Sequence, residues 1–197
     1  MQVDYYFDFM SPYAYLAGTQ LPRLIERYQG RVRFVGHSFD MWAARLAAGN
    51  TGPSNREIPA KSAVLMADVA RWARRYGVPI VPPKGFDTVM LNRAFYVARD
   101  QGKEVGFMTG VYARLWGAGG DPADPAMLLD AAQDAGLDPE QAARDAGSAA
   151  IAARYDQENR EAQARGIFGA PMFVAGDQTY WGNDRIAWLE EQLDAVV

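Results

Sequence analysis

Ser11 lies in YYFDFMSPYAYLA, residues 5–17, where an aromatic-rich run gives way to Ser-Pro and then to a helical pattern. Certain redox proteins carry Cys-x-x-Cys at this point, the start of the helix after the first strand, with the leading sulfur as nucleophile. Here Ser11 and Ala14 hold the two sulfur positions, and the chain has no cysteine. Disulfide exchange, zinc–thiolate chemistry and cysteine nucleophiles are therefore excluded together. Thiol chemistry at this point needs a sulfur brought by a ligand. Read alone, Ser11 is a helix N-cap followed by Pro12 at the first helical position.

Three further stretches carry candidates. GIFGAPMFV (166–174) places Ala170-Pro171 just ahead of a strand, as a cis-proline junction or as a plain edge-strand start. YWGNDRI (180–186) offers Asn183 and Asp184 as caps of a last helix. GNTGPSNRE (49–57) is a turn-rich loop in which Asn55 and Arg56 supply an amide and a bidentate carboxylate clamp, with Arg45 close by in sequence. His37, the single histidine, ends a strand and reads as a packed residue. GAGGDP (117–122) lacks the Gly-Lys-Ser/Thr ending of a phosphate loop. The carboxylates lie dispersed at helix caps and solvent faces, and no metal site is expected.

The elements that must position these residues follow from pattern. VDYYFDF (3–9) and RVRFVGH (31–37) read as strands. SPYAYLAGTQLPRLIERYQG between them reads as a helix that Pro22 kinks. From about Asp40 the pattern is helical for over a hundred residues. Leu65, Val69, Trp72 and Tyr76 form one stripe, helices fit 88–101 and 104–116, and Asp124-Pro125 opens a helix closed by Gly136. Asp138-Pro139 opens another, closed by Gly166. APMFVAG and QTYW then make a hairpin, and a final helix buries Ile186, Leu189, Leu193 and Val196. The order β-α-β, helical block, β-β-α predicts an α/β, thioredoxin-like fold with a large all-α insertion. Residues 1–39 and 166–197 make the thioredoxin-like domain, with the helix from about 138 packed on it, and 40–165 the insertion.

In such a fold a cis Ala170–Pro171 bond lies beside the first helix start and leaves the Ala170 N–H and C=O free to pair with an extended peptide. Glutathione is such a peptide and brings a sulfur. Lying antiparallel to Ala170, it aims its cysteinyl side chain at Ser11, where a hydroxyl and unpaired helix N–H groups can hold a thiolate. Asp184 can receive its α-ammonium, and exposed N–H groups its carboxylate.

At 197 residues the chain suffices for one domain, or a core with one insertion, without staples. A net charge of −4 supplies no field for nucleic acid or anionic membrane. MQVDYYFDF lacks the regions of a signal peptide and no apolar run approaches a membrane span, so a cytoplasmic location is expected.

With these elements placed, the sequence resembles the 2-hydroxychromene-2-carboxylate isomerases, the glutathione-dependent branch of the kappa-class glutathione transferases, themselves related to periplasmic disulfide oxidoreductases. YFDFMSPYAYLA, GNTGPSNR, RWARRYGVPIVPP (71–83), RYDQ (154–157), GIFGAPMFV and WGNDR (181–185) carry the resemblance across nearly the whole chain. It implies that Ser11 contacts the glutathione sulfur, that Ala170 beside Pro171 pairs with the cysteinyl backbone, and that Trp181, Gly182, Asn183 and Asp184 bind the γ-glutamyl end. It implies a pocket for a small aromatic carboxylate at Arg45, Asn55, Arg56 and Phe86. The family pattern has lysine where this chain has Arg45, and tyrosine where it has Phe86. The implied reaction interconverts 2-hydroxychromene-2-carboxylate and trans-o-hydroxybenzylidenepyruvate in naphthalene catabolism, by a homodimer. A thiolate suits it, because reversible addition to a conjugated carbon permits rotation and then release. A protein cysteine at position 11 would instead trap the ligand as a mixed disulfide. Two other readings share these residues: a kappa-type transferase that consumes glutathione, and a non-catalytic module that holds an extended peptide.

Overall fold

The computed structural model describes residues 1–196. β1 (Gln2–Phe7) is buried along all but its first residue, as its aromatic and β-branched side chains favour. Ser11 then caps α1 (Pro12–Gly18). The single kinked helix expected here is two helices. α1 stops at Gly18 and α2 (Leu21–Arg27) restarts with Pro22 in its first turn. A proline has no N–H to extend the ladder, so the chain breaks ahead of it instead of bending. β2 (Arg33–Ser38) then runs parallel to β1, with Gly36 opposite Tyr5. A Cβ on Gly36 would sit 2.6 Å from the tip of the Phe95 ring, so only glycine lets the next layer close on this strand.

Seven helices follow before the chain returns to the sheet: α3 (Met41–Ala47), α4 (Pro59–Tyr76), α5 (Val89–Asp100), α6 (Glu104–Tyr112, prolonged by a π turn, Ala113–Gly117), α7 (Pro125–Asp134), α8 (Pro139–Ala146) and α9 (Ala149–Ala164). The stripe expected on α4 is present, with Val69 buried and Leu65, Trp72 and Tyr76 packed partly buried against the core. The helix expected from Asp138 to Gly166 is divided. α8 ends at Ala146 with Gly147 as its C-cap, and the Ser148 hydroxyl opens α9 by accepting the Ile151 N–H at 3.2 Å.

β3 (Met172–Ala175) and β4 (Gln178–Trp181) form the expected hairpin, and the sheet order is β2-β1-β3-β4 with β3 antiparallel to both neighbours. A 3₁₀ turn, Asn183–Arg185, leads into α10 (Ile186–Val196). Ile186, Leu189 and Leu193 are buried, but Val196 is 59% exposed, because it lies in the last turn of α10, beyond the last buried residue, Leu193. Tyr5 stacks on Phe173 at 4.8 Å, Phe7 meets Phe95 edge-on at 4.8 Å and Phe9 meets Tyr112 at 4.9 Å, joining sheet and helices in one core. Because Met172 pairs with Tyr6 in an antiparallel register, the chain before β3 runs alongside the turn after β1. That register brings Ala170 to Ser11.

His37 is a packed residue, as expected, but it is packed among charges. Its ring stacks on Tyr6 and meets Asp4 at 3.1 Å and Glu158 at 3.0 Å, while Arg99 pairs with Glu158 at 2.6 Å and Arg165 with Asp4 at 3.2 Å. Burial alone would raise the Glu158 carboxyl, but the His37 hydrogen bond and the Arg99 charge outweigh it and hold its pKa at about 2, below the ordinary 4.5. A depressed carboxylate contributes stability that is present above pH 4.5 and is lost as the pH falls towards 2. Glu158→Gln is expected to cost about 1.5–3 kcal/mol at neutral pH, a drop of roughly 3–12 °C in melting temperature. The gap from wild type should close as melts are repeated down to pH 2 to 3, a range set by that pKa. A gap that persists unchanged in acid would show that the carboxylate's charge is not what stabilises.

Candidate active site

Ser11 is 2% exposed, and its backbone N–H donates to the Asp8 carbonyl at 3.0 Å, closing the turn after β1. Its side chain does two things at once. The hydroxyl accepts the Ala14 N–H at 3.2 Å, which is the N-cap bond, and donates to the Ala170 carbonyl at 3.1 Å. The Ala170–Pro171 bond is cis. The expectation that both backbone groups of Ala170 are free therefore holds for one of them. The carbonyl is taken by Ser11, whereas the N–H donates to no group among the described residues, although Ala170 is 8% exposed. Such a sheltered, unpaired donor is costly unless something accepts from it.

One residue on, the Pro171 carbonyl accepts the Gly182 N–H at 2.9 Å, so the WGND segment is tied to the same junction. Trp181 is 56% exposed and stands edge-on to Phe168 at 4.9 Å, with its indole Nε1 3.0 Å from where a Gly169 Cβ would lie. The indole thus packs beside Gly169, the neighbour of Ala170. Gly182 has φ +112° and ψ 152°, open to glycine alone, and a Cβ there would run into the Asp184 carboxylate. Gly182→Ala is expected to lose ~1–3 kcal/mol, a fall of roughly 2–12 °C in melting temperature. A variant that melts like wild type would show that this backbone shape is not enforced.

Asn183 and Asp184 do not cap α10 through their side chains. Asn183 is 2% exposed and turned towards α4, where its amide lies 3.4 Å from the Tyr76 hydroxyl and its carbonyl accepts from that hydroxyl at 3.3 Å. The helix start needs no such cap because the 3₁₀ turn precedes it. Asp184 lies at the surface, paired with Arg185 at 2.7 Å.

The four substrate-side candidates separate into two groups. Arg56 is half-buried, its guanidinium 3.8 Å above the Phe86 ring and 5.8 Å from the Trp116 ring, and it points a marginal hydrogen bond of 3.5 Å at the carbonyl of Met10, the neighbour of Ser11. Burial lowers its pKa from the ordinary arginine value, yet an arginine keeps its charge at any physiological pH. No carboxylate pairs with it among the described residues, so a cation on an aromatic ledge faces the Ser11 turn without a counter-ion. Arg45 differs. It stacks on Trp42 at 4.8 Å and donates to Asn50 at 3.1 Å and to the Gly52 carbonyl, folding the 49–57 loop. Asn55 is exposed, and its side chain makes no hydrogen bond among the described residues.

A family model for the DSBA-like thioredoxin domain matches residues 2–194. The chain belongs to that family. Among relatives of this DSBA-like chain, a 2-hydroxychromene-2-carboxylate isomerase of Sphingobium xenophagum is 42% identical over 191 residues, 97% of each chain. A solved structure of 2-hydroxychromene-2-carboxylate isomerase superposes with a TM-score of 0.92 at 33% identity, covering 100% of this chain and 96% of that one. Glutathione S-transferase kappa 1 of Caenorhabditis elegans is 29% identical over 125 residues, 58% of this chain and 54% of that protein.

Within the DSBA-like frame, sequence reasoning missed the residues that hold the Ser11 turn. Trp116 donates its indole N–H to the Phe9 carbonyl at 2.8 Å, and Tyr5 donates to the Ala14 carbonyl at 2.8 Å. Asp8, Thr88 and Asn92 form a buried polar knot under the same turn. An aspartate between Phe7 and Phe9 was the available signal, since a buried charge requires partners. Among the described residues no three His, Asp or Glu side chains group closely enough to hold a metal ion, and no helix is long and apolar enough to cross a membrane.

Proposed function

We propose that this chain is a glutathione-dependent isomerase that interconverts 2-hydroxychromene-2-carboxylate and trans-o-hydroxybenzylidenepyruvate. The observation that carries the reading is the contact of the Ser11 hydroxyl with the Ala170 carbonyl at 3.1 Å beside an unpaired Ala170 N–H, in a chain 42% identical over its length to a protein of that name. The residues fit the tripeptide. An unpaired N–H at Ala170 suits an extended backbone, and Ser11 offers a hydroxyl where a cysteine would react with the ligand's sulfur. Bound glutathione supplies a thiolate, which can add reversibly to a conjugated carbon and so free a double bond to rotate.

The chain's own part is to hold and to orient. Ser11 exchanges a neutral carbonyl acceptor for an anion, and a hydrogen bond to an anion is the stronger of the two. Trp181, Gly182, Asn183 and Asp184 receive the γ-glutamyl end, Asn183 through its main chain, since its side chain is turned to Tyr76. Arg56 takes the substrate carboxylate and offsets negative charge developing on the substrate's oxygens, with Phe86 beneath it as an aromatic platform. Asn55 adds an amide at the pocket edge, and Arg45 acts by shaping the loop that carries both. A homodimer in the cytoplasm completes the proposal, on the family resemblance.

Ultraviolet spectra of purified protein with the chromene substrate test the reading. Conversion is expected only when glutathione is present, with the thiol count unchanged after many turnovers. Absence of conversion would defeat the substrate assignment. Steady loss of thiol would favour the kappa-type transferase that the shorter match suggests.

A further inference from the structure

Asp8 is 2% exposed, and no ion pair reaches it among the described residues. Four donors converge on its carboxylate. Oδ1 accepts the Met10 N–H at 3.1 Å, the Thr88 hydroxyl at 2.8 Å and the Asn92 amide at 3.0 Å, and Oδ2 accepts the Met41 N–H at 3.0 Å. Three of these groups can only donate, which calls for the lone pairs of an ionised carboxylate.

The donors come from three separate segments around the Ser11 turn. Met10 precedes Ser11, Met41 opens α3, whose last turn carries Arg45, and Thr88 and Asn92 begin α5 just after Phe86. The peptide N–H groups of Phe9, Met10 and Ser11 are held in succession by the Asn92 side chain, the Asp8 carboxylate and the Asp8 carbonyl. Facing this knot from other elements are the Tyr112 hydroxyl of α6, 3.4 Å from the Asp8 carbonyl, and the Tyr155 hydroxyl of α9, 3.3 Å from the Asn92 amide.

We propose that Asp8 is a positioning residue for the reaction: its carboxylate fixes the turn that presents Ser11 and holds the Phe86 segment and α3 in the same frame. The inference rests on the isomerase reading. Because the carboxylate works only while ionised, turnover has an acid limb set by Asp8 besides the one set by the bound thiol, which thiolate absorbance follows separately. Burial pushes that group above the ordinary aspartate value, and its hydrogen bonds pull it back only in part.

Asp8→Asn and Thr88→Val, beside wild type, test this in three measurements: kcat against pH, glutathione affinity by calorimetry, and thiolate absorbance of bound glutathione. Thr88→Val is nearly isosteric and removes one donor. It is expected to move the Asp8 limb of kcat upward by about one pH unit with the thiolate absorbance profile unmoved, and with glutathione affinity within roughly threefold of wild type. Asp8→Asn turns an acceptor into a donor against fixed N–H groups. Its kcat is expected to fall at least ~10-fold with a smaller change in KM, and the Asp8 limb to vanish while the limb that tracks thiolate absorbance remains. A role in stability alone would lower melting temperature and leave the limb in place, and that result overturns the proposal. Should Asp8→Asn fail to fold, Thr88→Val decides alone, an unmoved limb counting against Asp8. Wild type that shows neither thiolate absorbance nor turnover would bring down the isomerase reading itself. Active wild type with indistinguishable variants defeats only Asp8.

Discussion

Replacing Ser11 with alanine is expected to cut turnover at neutral pH by about 10- to 1,000-fold and to raise the pKa of the bound thiol. The hydroxyl now donates to a carbonyl 3.1 Å away, so it lies on the ligand side of α1 with a proton that an anion can claim. The same substitution removes the acceptor of the Ala14 N–H, at a cost of about 1 kcal/mol in stability. The two losses are separable, because the cap acts on folding and the donor acts on the thiol. Ser11→Thr keeps both and should retain most of the rate. Stopped-flow turnover with a parallel ultraviolet titration of bound glutathione distinguishes them. If Ser11→Ala keeps the wild-type rate and thiol pKa and only melts earlier, the hydroxyl is a helix cap and nothing more.

Arg56→Met should raise KM for the chromene substrate by roughly 10- to 100-fold, the loss of one charge-assisted hydrogen-bonded pair, while glutathione affinity stays near wild type. The geometry makes this arginine the stronger of the two cations. Arg56 rests on Phe86 with no acidic partner among the described residues, whereas Arg45 is tied through its Nη2 to Asn50 and Gly52. Arg45→Met should therefore act less, through a loosened loop. Arg56→Lys should rescue poorly, since an ammonium neither stacks on the ring nor offers two parallel donors. Equal KM effects at the two arginines would show that the substrate carboxylate is shared between them.

The junction of sequence and site was legible where chemistry and local structure coincide. FDFMSPYA announces a strand, a cap and a helix start in eight residues, and Ala170-Pro171 marks the stretch that the β1–β3 register brings to it. Two helix breaks were not legible. Around Gly147 and Ser148 the alanine-rich pattern continues on both sides, and the break shows only when the Ser148 hydroxyl is seen to cap Ile151. Asn183 looks like a cap because caps are local, yet its amide is taken by Tyr76, 107 residues earlier. Asp8 depends on Thr88 and Asn92, 80 and 84 residues away, which no local pattern links to it. Arg45 and Arg56 carry the same charge in the same stretch. Packing against Trp42 or Phe86 is what separates them.

A crystal structure of the protein with glutathione tests the central claim most directly. The cysteinyl sulfur is expected within hydrogen-bond distance of the Ser11 hydroxyl, the cysteinyl backbone paired with Ala170, and the γ-glutamyl arm against Trp181–Asp184. Glutathione bound elsewhere, or with its sulfur turned away from Ser11 while the Ala170 N–H stays unpaired, would contradict it.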